Sequence, residues 1–253
     1  MMISAVGASD IGCKRKANED RILVEGEESI FVVADGMGGQ RCGGRAAELA
    51  TLAFQEYFQM ASSQLDSRYS SNQNGLLDHS KEMMATAIQF ANERIFRESD
   101  FMEDCTGMGC TISAVKIDRD VATIGNVGDS RVYLYRMEQL VQLTRDDSVI
   151  ANLLASGEIT PEEVPSHPMR NMLTQSVGTK ETVDIQLMEL KLVQGDRLLL
   201  CSDGLHGVIG DTVIEQILSS ENDAETAVRA LIAEARNRGG PDNISSVVID
   251  YSQ

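Results

Sequence analysis

Apolar runs of strand length, most of them ending in a short acidic motif, recur along the chain. Ile30-Phe31-Val32-Val33-Ala34 runs into Asp35-Gly36, and Arg197-Leu198-Leu199-Leu200-Cys201-Ser202 runs into Asp203-Gly204. Asp242-Asn243 precedes Ile244-Ser245-Ser246-Val247-Val248-Ile249, and Asn18-Glu19-Asp20 stands before a β-rich stretch. Residues 3–8 and 21–34 read as strands. Residues 44–60 read as a helix, with Ala46, Ala47, Leu49, Ala50, Ala53, Phe54 and Tyr57 near helical spacing. The polar stretch 61–79 predicts a loop. A second amphipathic helix is predicted at about 81–98, with Met84, Ala87, Ile88, Ala91 and Ile95 on one face. Cys110–Ile117, Val121–Val127 and Arg131–Arg136 read as strands, separated by a turn at Asp118-Arg119-Asp120 and by Gly128-Asp129. A short helix is expected at 147–156. An irregular surface segment is expected at 157–170, which carries Pro161, Pro165 and Pro168. Strands return at 184–191 and 197–202, helices fit 211–219 and 223–238, and the last strand covers 244–251. This order is not a strict βαβ alternation. It predicts an α+β fold in which two antiparallel sheets pack together with helices outside, so that strand ends and loops share a rim.

Composition narrows the class. The chain has 253 residues and 42% hydrophobic content, enough for one large core, and nothing requires two domains. The apolar runs are too short for a membrane span, and Met1-Met2-Ile3-Ser4 lacks the regions of a signal peptide. Cysteines at 13, 42, 105, 110 and 201 are odd in number and include no Cys-x-x-Cys pair. They read as reduced, mostly buried thiols of a cytosolic protein, and a zinc site is disfavoured. The net charge of -17 disfavours nucleic acid and anionic membranes as partners.

A carboxylate at the end of a buried strand is costly unless its charge is compensated. Four such places in one domain suggest shared compensation, for which hard divalent cations with oxygen ligands are the economical source. Taken singly, each Asp-Gly is an ordinary turn signal. Several phosphate chemistries are excluded. No cysteine is followed six residues later by arginine. Gly36-Met37-Gly38-Gly39-Gln40-Arg41 fails the dinucleotide fingerprint and carries no phosphate-loop lysine. No Gly-x-Ser-x-Gly elbow accompanies His79, His167 and His206.

Gly12-Cys13-Lys14-Arg15-Lys16-Ala17-Asn18-Glu19-Asp20 resembles the opening motif of the metal-dependent protein phosphatase 2C (PPM) family, and Ala34-Asp35-Gly36-Met37-Gly38-Gly39 resembles its second motif in bacterial form. Gly109-Cys110-Thr111, Asn126–Arg131, Leu143–Ser148, Gly195–Gly204 and Gly239–Ile244 continue the series in order. The resemblance spans about residues 5–250. It implies a four-layer α-β-β-α sandwich over 1–253, a single catalytic domain, with a flap at about 145–172. It also implies a serine/threonine phosphoprotein phosphatase dependent on Mn²⁺ or Mg²⁺, two ions per site. Asp35 would bridge the ions. Asp203 and Asp242 would complete one site, and Glu19 with the carbonyl of Gly36 the other. Asp129 with Asp203 resembles a third, weaker site. Arg15 would bind the substrate phosphate through its planar fork, Asp20 would orient a water, and Asn243 would support the ligands from behind. The hydroxide bridging two cations about 3.5–4 Å apart would attack phosphorus in line, with no phosphoenzyme.

Where many family members carry histidine, this chain has Met37, Gln40 and Asp147, and Gly44 replaces a typical acid. The proton donor for the leaving group is therefore open, with a metal-bound water as candidate. Arg170 and His167 are candidates for substrate contact or for anchoring the flap. His79 and His206 read as ordinary surface or packing residues, and Met83, Met84 and Met172 as core filler. The expected partners are phosphoserine or phosphothreonine proteins and a cognate kinase, and the expected state is a cytoplasmic monomer. Two alternatives stand beside this: a phosphatase-fold scaffold with little turnover, and a Ca²⁺-stabilised structural domain.

Overall fold

The computed structural model describes residues 2–37, 42–65 and 73–252. Its strands are β1 (Met2–Asp10), β2 (Asp20–Glu25), β3 (Ile30–Met37), β4 (Gly109–Cys110), β5 (Ile112–Asp118), β6 (Val121–Val127), β7 (Arg131–Arg136), β8 (Gln139–Gln142), β9 (Gln186–Lys191), β10 (Arg197–Cys201) and β11 (Ile244–Ser252). Its helices are α1 (Gly43–Leu65), α2 (Gln73–Phe101), α3 (Val149–Ser156), α4 (Asp203–Ile209), α5 (Asp211–Ser220) and α6 (Ala224–Asn237). One sheet runs β1-β11-β10-β7-β8. The other runs β2-β3-β5-β6-β9, with β4 paired to β3. The pairings are antiparallel.

Alternation along each strand builds the layers, because successive side chains leave a strand on opposite faces. In β3, Phe31 and Val33 face the opposing sheet, while Ile30, Val32 and Ala34 face α1 and α2. In β10, Leu198 and Leu200 enter the space between the sheets, while Leu199 and Cys201 pack under α4, α5 and α6. Three apolar layers result, which is the expected four-layer α-β-β-α sandwich. On α1 and α2, Ala46, Ala50, Ala53, Phe54, Met84, Ile88, Ala91 and Ile95 are buried against the sheet, as their spacing predicts.

Four features depart from expectation. The stretch predicted as a loop is partly helical, since α1 continues to Leu65 and α2 begins at Gln73. Serine and glutamine are only weakly unfavourable in helices, and the long apolar faces of α1 and α2 carry the elements further. Second, α4 forms where no helix was expected. Gly204 and Gly207 argue against a helix, but buried Leu205 and Ile209 dock it on β11 and α6. Third, Cys42 and Cys105 are not free thiols. They form a disulfide across 63 residues, with Cα atoms 5.5 Å apart. Cys42 precedes α1 and Cys105 follows α2, so the packing of these helices brings together cysteines that no local motif links. Cys110 and Cys201 are buried thiols, and Cys13 is exposed. Fourth, Met172 is not core filler, being 54% exposed, whereas Met84 is buried.

The segment 145–173 crosses one end of the sandwich. It holds α3, capped by the Ser148 side chain accepting from Ala151 N–H and by Gly157 at a left-handed φ of 73°. A 3₁₀ turn follows at Pro161–Ser166, within the expected surface segment.

Candidate active site

Following the inward-facing rows two residues at a time leads to the site. On β3 the row Phe31, Val33 continues to Asp35, and on β2 Ile22 continues back to Asp20. On β10 the row Leu198, Leu200 continues to Ser202, and on β11 Val247 leads back through Ser245 to Asn243. The layer between the sheets therefore changes from apolar to polar at one end. Asp20 and Asp35 stand opposite each other in the β2–β3 register. Two like charges so placed repel unless a proton or a cation lies between them.

A cavity of about 310 Å³ at this end is lined by Arg15, Glu19, Asp35, Gly36, Asp129, Asp203, Asp242 and Asn243, with Met37, Thr111, Asn171 and Leu173 completing the wall. Of the residues expected to hold metal, seat phosphate or support the ligands, Asp20 alone is missing from this wall. It lies 1% exposed, with Oδ2 accepting from Ser202 Oγ at 2.8 Å. Its Oδ1 is buried without a hydrogen-bond partner. Ser202, which the sequence did not single out, also accepts from Ser245 N–H at 3.0 Å, so it joins β10, β11 and Asp20.

Backbone contacts fix the ligand-bearing turns. Asp35 N–H donates to Thr111 Oγ1 at 3.1 Å, and Asp35 carbonyl accepts from Thr111 N–H at 2.8 Å. A Cβ on Gly36 would lie 2.0 Å from the Gly43 carbonyl oxygen and 2.7 Å from that of Glu19, so only glycine lets these segments meet. Asn243 clamps the loop between β1 and β2. Its Oδ1 accepts from Glu19 N–H at 2.8 Å, and its Nδ2 donates to the Ile11 and Ala17 carbonyls at 3.0 Å each. On that loop, Arg15 Nη2 donates to Asp242 Oδ2 at 2.6 Å.

Electrostatics mark these acids as a group. Burial pushes the Asp35 carboxyl well up, and Asp20, Asp203, Asp129 and Asp242 push it further. Burial and the neighbouring Asp129 and Asp242 raise Asp203 to about 7. Burial, with Asp146 adding to it, raises Asp129 to about 6. The donors are all oxygen, one buried carboxylate oxygen is unpartnered, and the mutual repulsion is what a cation relieves. The set fits hard divalent ions. The acids surround an open cavity rather than a closed cage: among the described residues, no three His, Cys, Asp or Glu side chains stand together as metal ligands, and Arg15 draws Asp242 to itself.

A larger groove of about 1080 Å³ adjoins the cavity, sharing Arg15, Asp129, Asp203, Asp242 and Asn171 and running beneath the flap past Arg145 and Arg170. Arg170 reaches this groove. His167 does not line it, and its Nδ1 accepts from Met169 N–H at 3.2 Å. His206 is buried, with Nε2 3.0 Å from the Asp129 carbonyl oxygen. Burial pushes it down to about 4, so it is neutral at pH 7. Gln40 lies outside the described residues.

Comparison with known proteins decides the family. The model of the family described as Protein phosphatase 2C matches residues 7–246. The chain belongs to the protein phosphatase 2C family. It is 32% identical to protein phosphatase PhpP of Streptococcus pneumoniae over 97% of this chain and 96% of that protein. The crystal structure of the Mycobacterium tuberculosis serine/threonine phosphatase PstP/Ppp superposes with a TM-score of 0.86 at 30% identity, covering 100% of both chains. The PstP catalytic domain in complex with 2 manganese ions matches at a TM-score of 0.84 and 29% identity, over 99% of each chain. The chain is thus a metal-dependent serine/threonine protein phosphatase of bacterial type. Among the described residues, no helix is long and apolar enough to cross a membrane.

Proposed function

We propose that Asp35, Asp203 and Asp242 with Glu19 and the Gly36 carbonyl hold two Mn²⁺ or Mg²⁺ ions, that Asp129 and Asp203 serve a third, and that Arg15 seats the substrate phosphate. The observation that carries this is the convergence of five acids and Arg15 on one cavity of about 310 Å³. Bound ions would supply charge neutralisation at the phosphoryl oxygens and a lowered pKa for water. The chain's own groups do the rest. Arg15 stands at the junction of the cavity and the groove, half-exposed. Its planar fork can exchange Asp242 for two phosphate oxygens. Asp20, behind Asp35, offers a buried unpartnered Oδ1 to a water or to a proton held by Asp35. Asn243 holds Glu19 and the Arg15 loop in place. The adjoining groove of about 1080 Å³ leaves room for peptide beside the phosphoresidue, which supports phosphoserine and phosphothreonine proteins as substrates.

We also infer a single catalytic domain acting as a cytoplasmic monomer, opposing a serine/threonine kinase. The test is hydrolysis of a phosphothreonine peptide by metal-stripped protein, with Mn²⁺, Mg²⁺ or Ca²⁺ restored and Asp35→Asn alongside. Turnover with Mn²⁺ or Mg²⁺ that disappears in Asp35→Asn supports the assignment. Turnover that survives Asp35→Asn refutes the ligand set.

A further inference from the structure

Asp147 occupies a junction that the roles above leave unused. The flap leaves the core at Arg145–Asp147 and returns through Leu173 to Val177. At its root, Asp147 N–H donates to the Gly128 carbonyl at 2.9 Å, and Asp147 Oδ2 accepts from Gly128 N–H at 3.0 Å. This reciprocal pair grips the residue just before Asp129. The Asp147 carbonyl accepts from Thr174 N–H at 2.8 Å, on the returning leg of the flap. Its Oδ1 accepts from Gln186 Nε2 at 3.0 Å, on β9. One residue, 7% exposed, thereby joins the Asp129 turn, the flap's return and the edge of a sheet. The neighbouring Asp146 is held as firmly, by Arg131 Nε and Nη2 at 2.8 and 2.7 Å.

The choice of residue is informative. Asp146 and Asp147 both repel Asp129, so a second carboxylate at this root is electrostatically unfavourable. Its compensation is directional: two hydrogen bonds that no apolar residue could make. Gly128 sits at φ 104°, and a Cβ there would meet Thr111 Cγ2 at 2.6 Å. Gly128 therefore has no side chain with which to hold the turn, and the grip must come from across the gap. The returning leg pinned at Thr174 also brings Asn171 and Leu173 to the cavity wall.

We propose that Asp147 is a positioning residue, whose paired bonds to Gly128 set Asp129 and the returning leg of the flap as one unit. This rests on the role proposed for Asp129 above.

The experiment compares wild type with Asp147→Ala, Asp147→Asn and Gln186→Ala. Each is assayed for kcat and KM on a phosphothreonine peptide and for the Mn²⁺ concentration giving half-maximal rate. Hydrogen–deuterium exchange of residues 126–130 is followed in metal-free protein. Asp147→Ala is expected to lower kcat and raise half-saturating Mn²⁺ by roughly tenfold in combination, with KM within about twofold, since groups behind metal ligands cost that much when lost. Its 126–130 amides exchange faster. Asp147→Asn can turn its one side-chain oxygen to the Gly128 N–H in place of Oδ2, giving up the bond from Gln186 Nε2, and keeps the protection and most of the turnover. Gln186→Ala moves in the same direction by less, and decides the matter if Asp147→Ala does not fold. The proposal is overturned by wild-type kcat and Mn²⁺ response in folded Asp147→Ala, by a change in KM alone, or by faster exchange without loss of rate. An Asp147→Asn as impaired as Asp147→Ala overturns it as well. A wild type without Mn²⁺-dependent turnover sinks the phosphatase assignment and this inference with it, whereas the other results sink this inference alone.

Discussion

Removing the Asn243 side chain tests how the loop that carries Arg15 and Glu19 is held. Asn243 is 5% exposed and makes three hydrogen bonds to backbone groups of that loop: from Glu19 N–H, and to the Ile11 and Ala17 carbonyls. Asn243→Ala deletes all three and leaves one donor and two acceptors without their partner. A hydrogen bond contributes about 1 kcal/mol net, and more when the orphaned group stays dry. Ile11 is exposed and its carbonyl can recover water, so the sum is about 3 kcal/mol rather than the upper limit. In a chain of this length that corresponds to a Tm lowered by roughly 6–12 °C. The functional effect should exceed the effect of lost stability alone, because the freed loop carries both the phosphate fork and an acid of the cavity wall. KM for a phosphothreonine peptide rises, and half-saturating Mn²⁺ rises with it, at temperatures where the variant is fully folded. Asn243→Asp sharpens the test. It keeps an acceptor for Glu19 N–H, but it turns an oxygen toward two carbonyls and adds a carboxylate beside Asp242. It should be less stable than Asn243→Ala at pH 8 and recover in acid. Thermal melts of metal-free protein and steady-state kinetics with Mn²⁺ measure both effects. An Asn243→Ala protein with unchanged Tm and unchanged KM would refute the clamp.

Other outcomes follow from the same geometry. Asp129 and Asp203 are raised to about 6 and about 7 in the folded chain, so the folded state binds more protons than the unfolded one between about pH 4 and 7. Metal-free protein should therefore lose stability as pH rises from 5 to 8, and Mn²⁺ should restore it; a Tm flat in pH with chelator present would contradict this. Asp35→Asn should abolish Mn²⁺-dependent turnover yet raise the Tm of metal-free protein at pH 8, because it replaces a carboxyl whose charged form burial and the neighbouring acids disfavour. Arg15→Lys keeps the charge but loses the planar fork, and should raise KM by about tenfold with kcat less affected; equal KM values would argue that phosphate binds elsewhere. Alkylation of denatured, unreduced protein should label three cysteines, Cys13, Cys110 and Cys201, and all five after reduction.

The parts legible in the sequence are those whose signal is local or periodic. Unbroken apolar runs marked β3, β10 and β11 as buried strands, although which side chain enters which layer is seen only in the structure, and helical spacing in α1 and α2 named the buried face. The acids at Asp35, Asp203 and Asp242 were legible because each ends or begins such a strand, and a charge at that place needs an explanation. What escaped was set by packing across the chain. The disulfide joins residues 63 apart, and α4 forms against its glycines because Leu205 and Ile209 find a surface. Ser202 could have been found: it continues the inward row Leu198, Leu200, and a hydroxyl in an otherwise apolar row signals a polar neighbour, here Asp20. Asp147 shows the limit most clearly. From sequence it was only a departure from a family pattern, one acid in an acidic chain. Its meaning depends on Gly128, Thr174 and Gln186, which lie 19, 27 and 39 residues away in the chain and meet only when the flap folds back over the sheet ends. A residue whose partners are all backbone or distant leaves no periodic trace. In this phosphatase the acids of the cavity can be read along single strands, whereas the contacts that hold them in register have to be read across the fold.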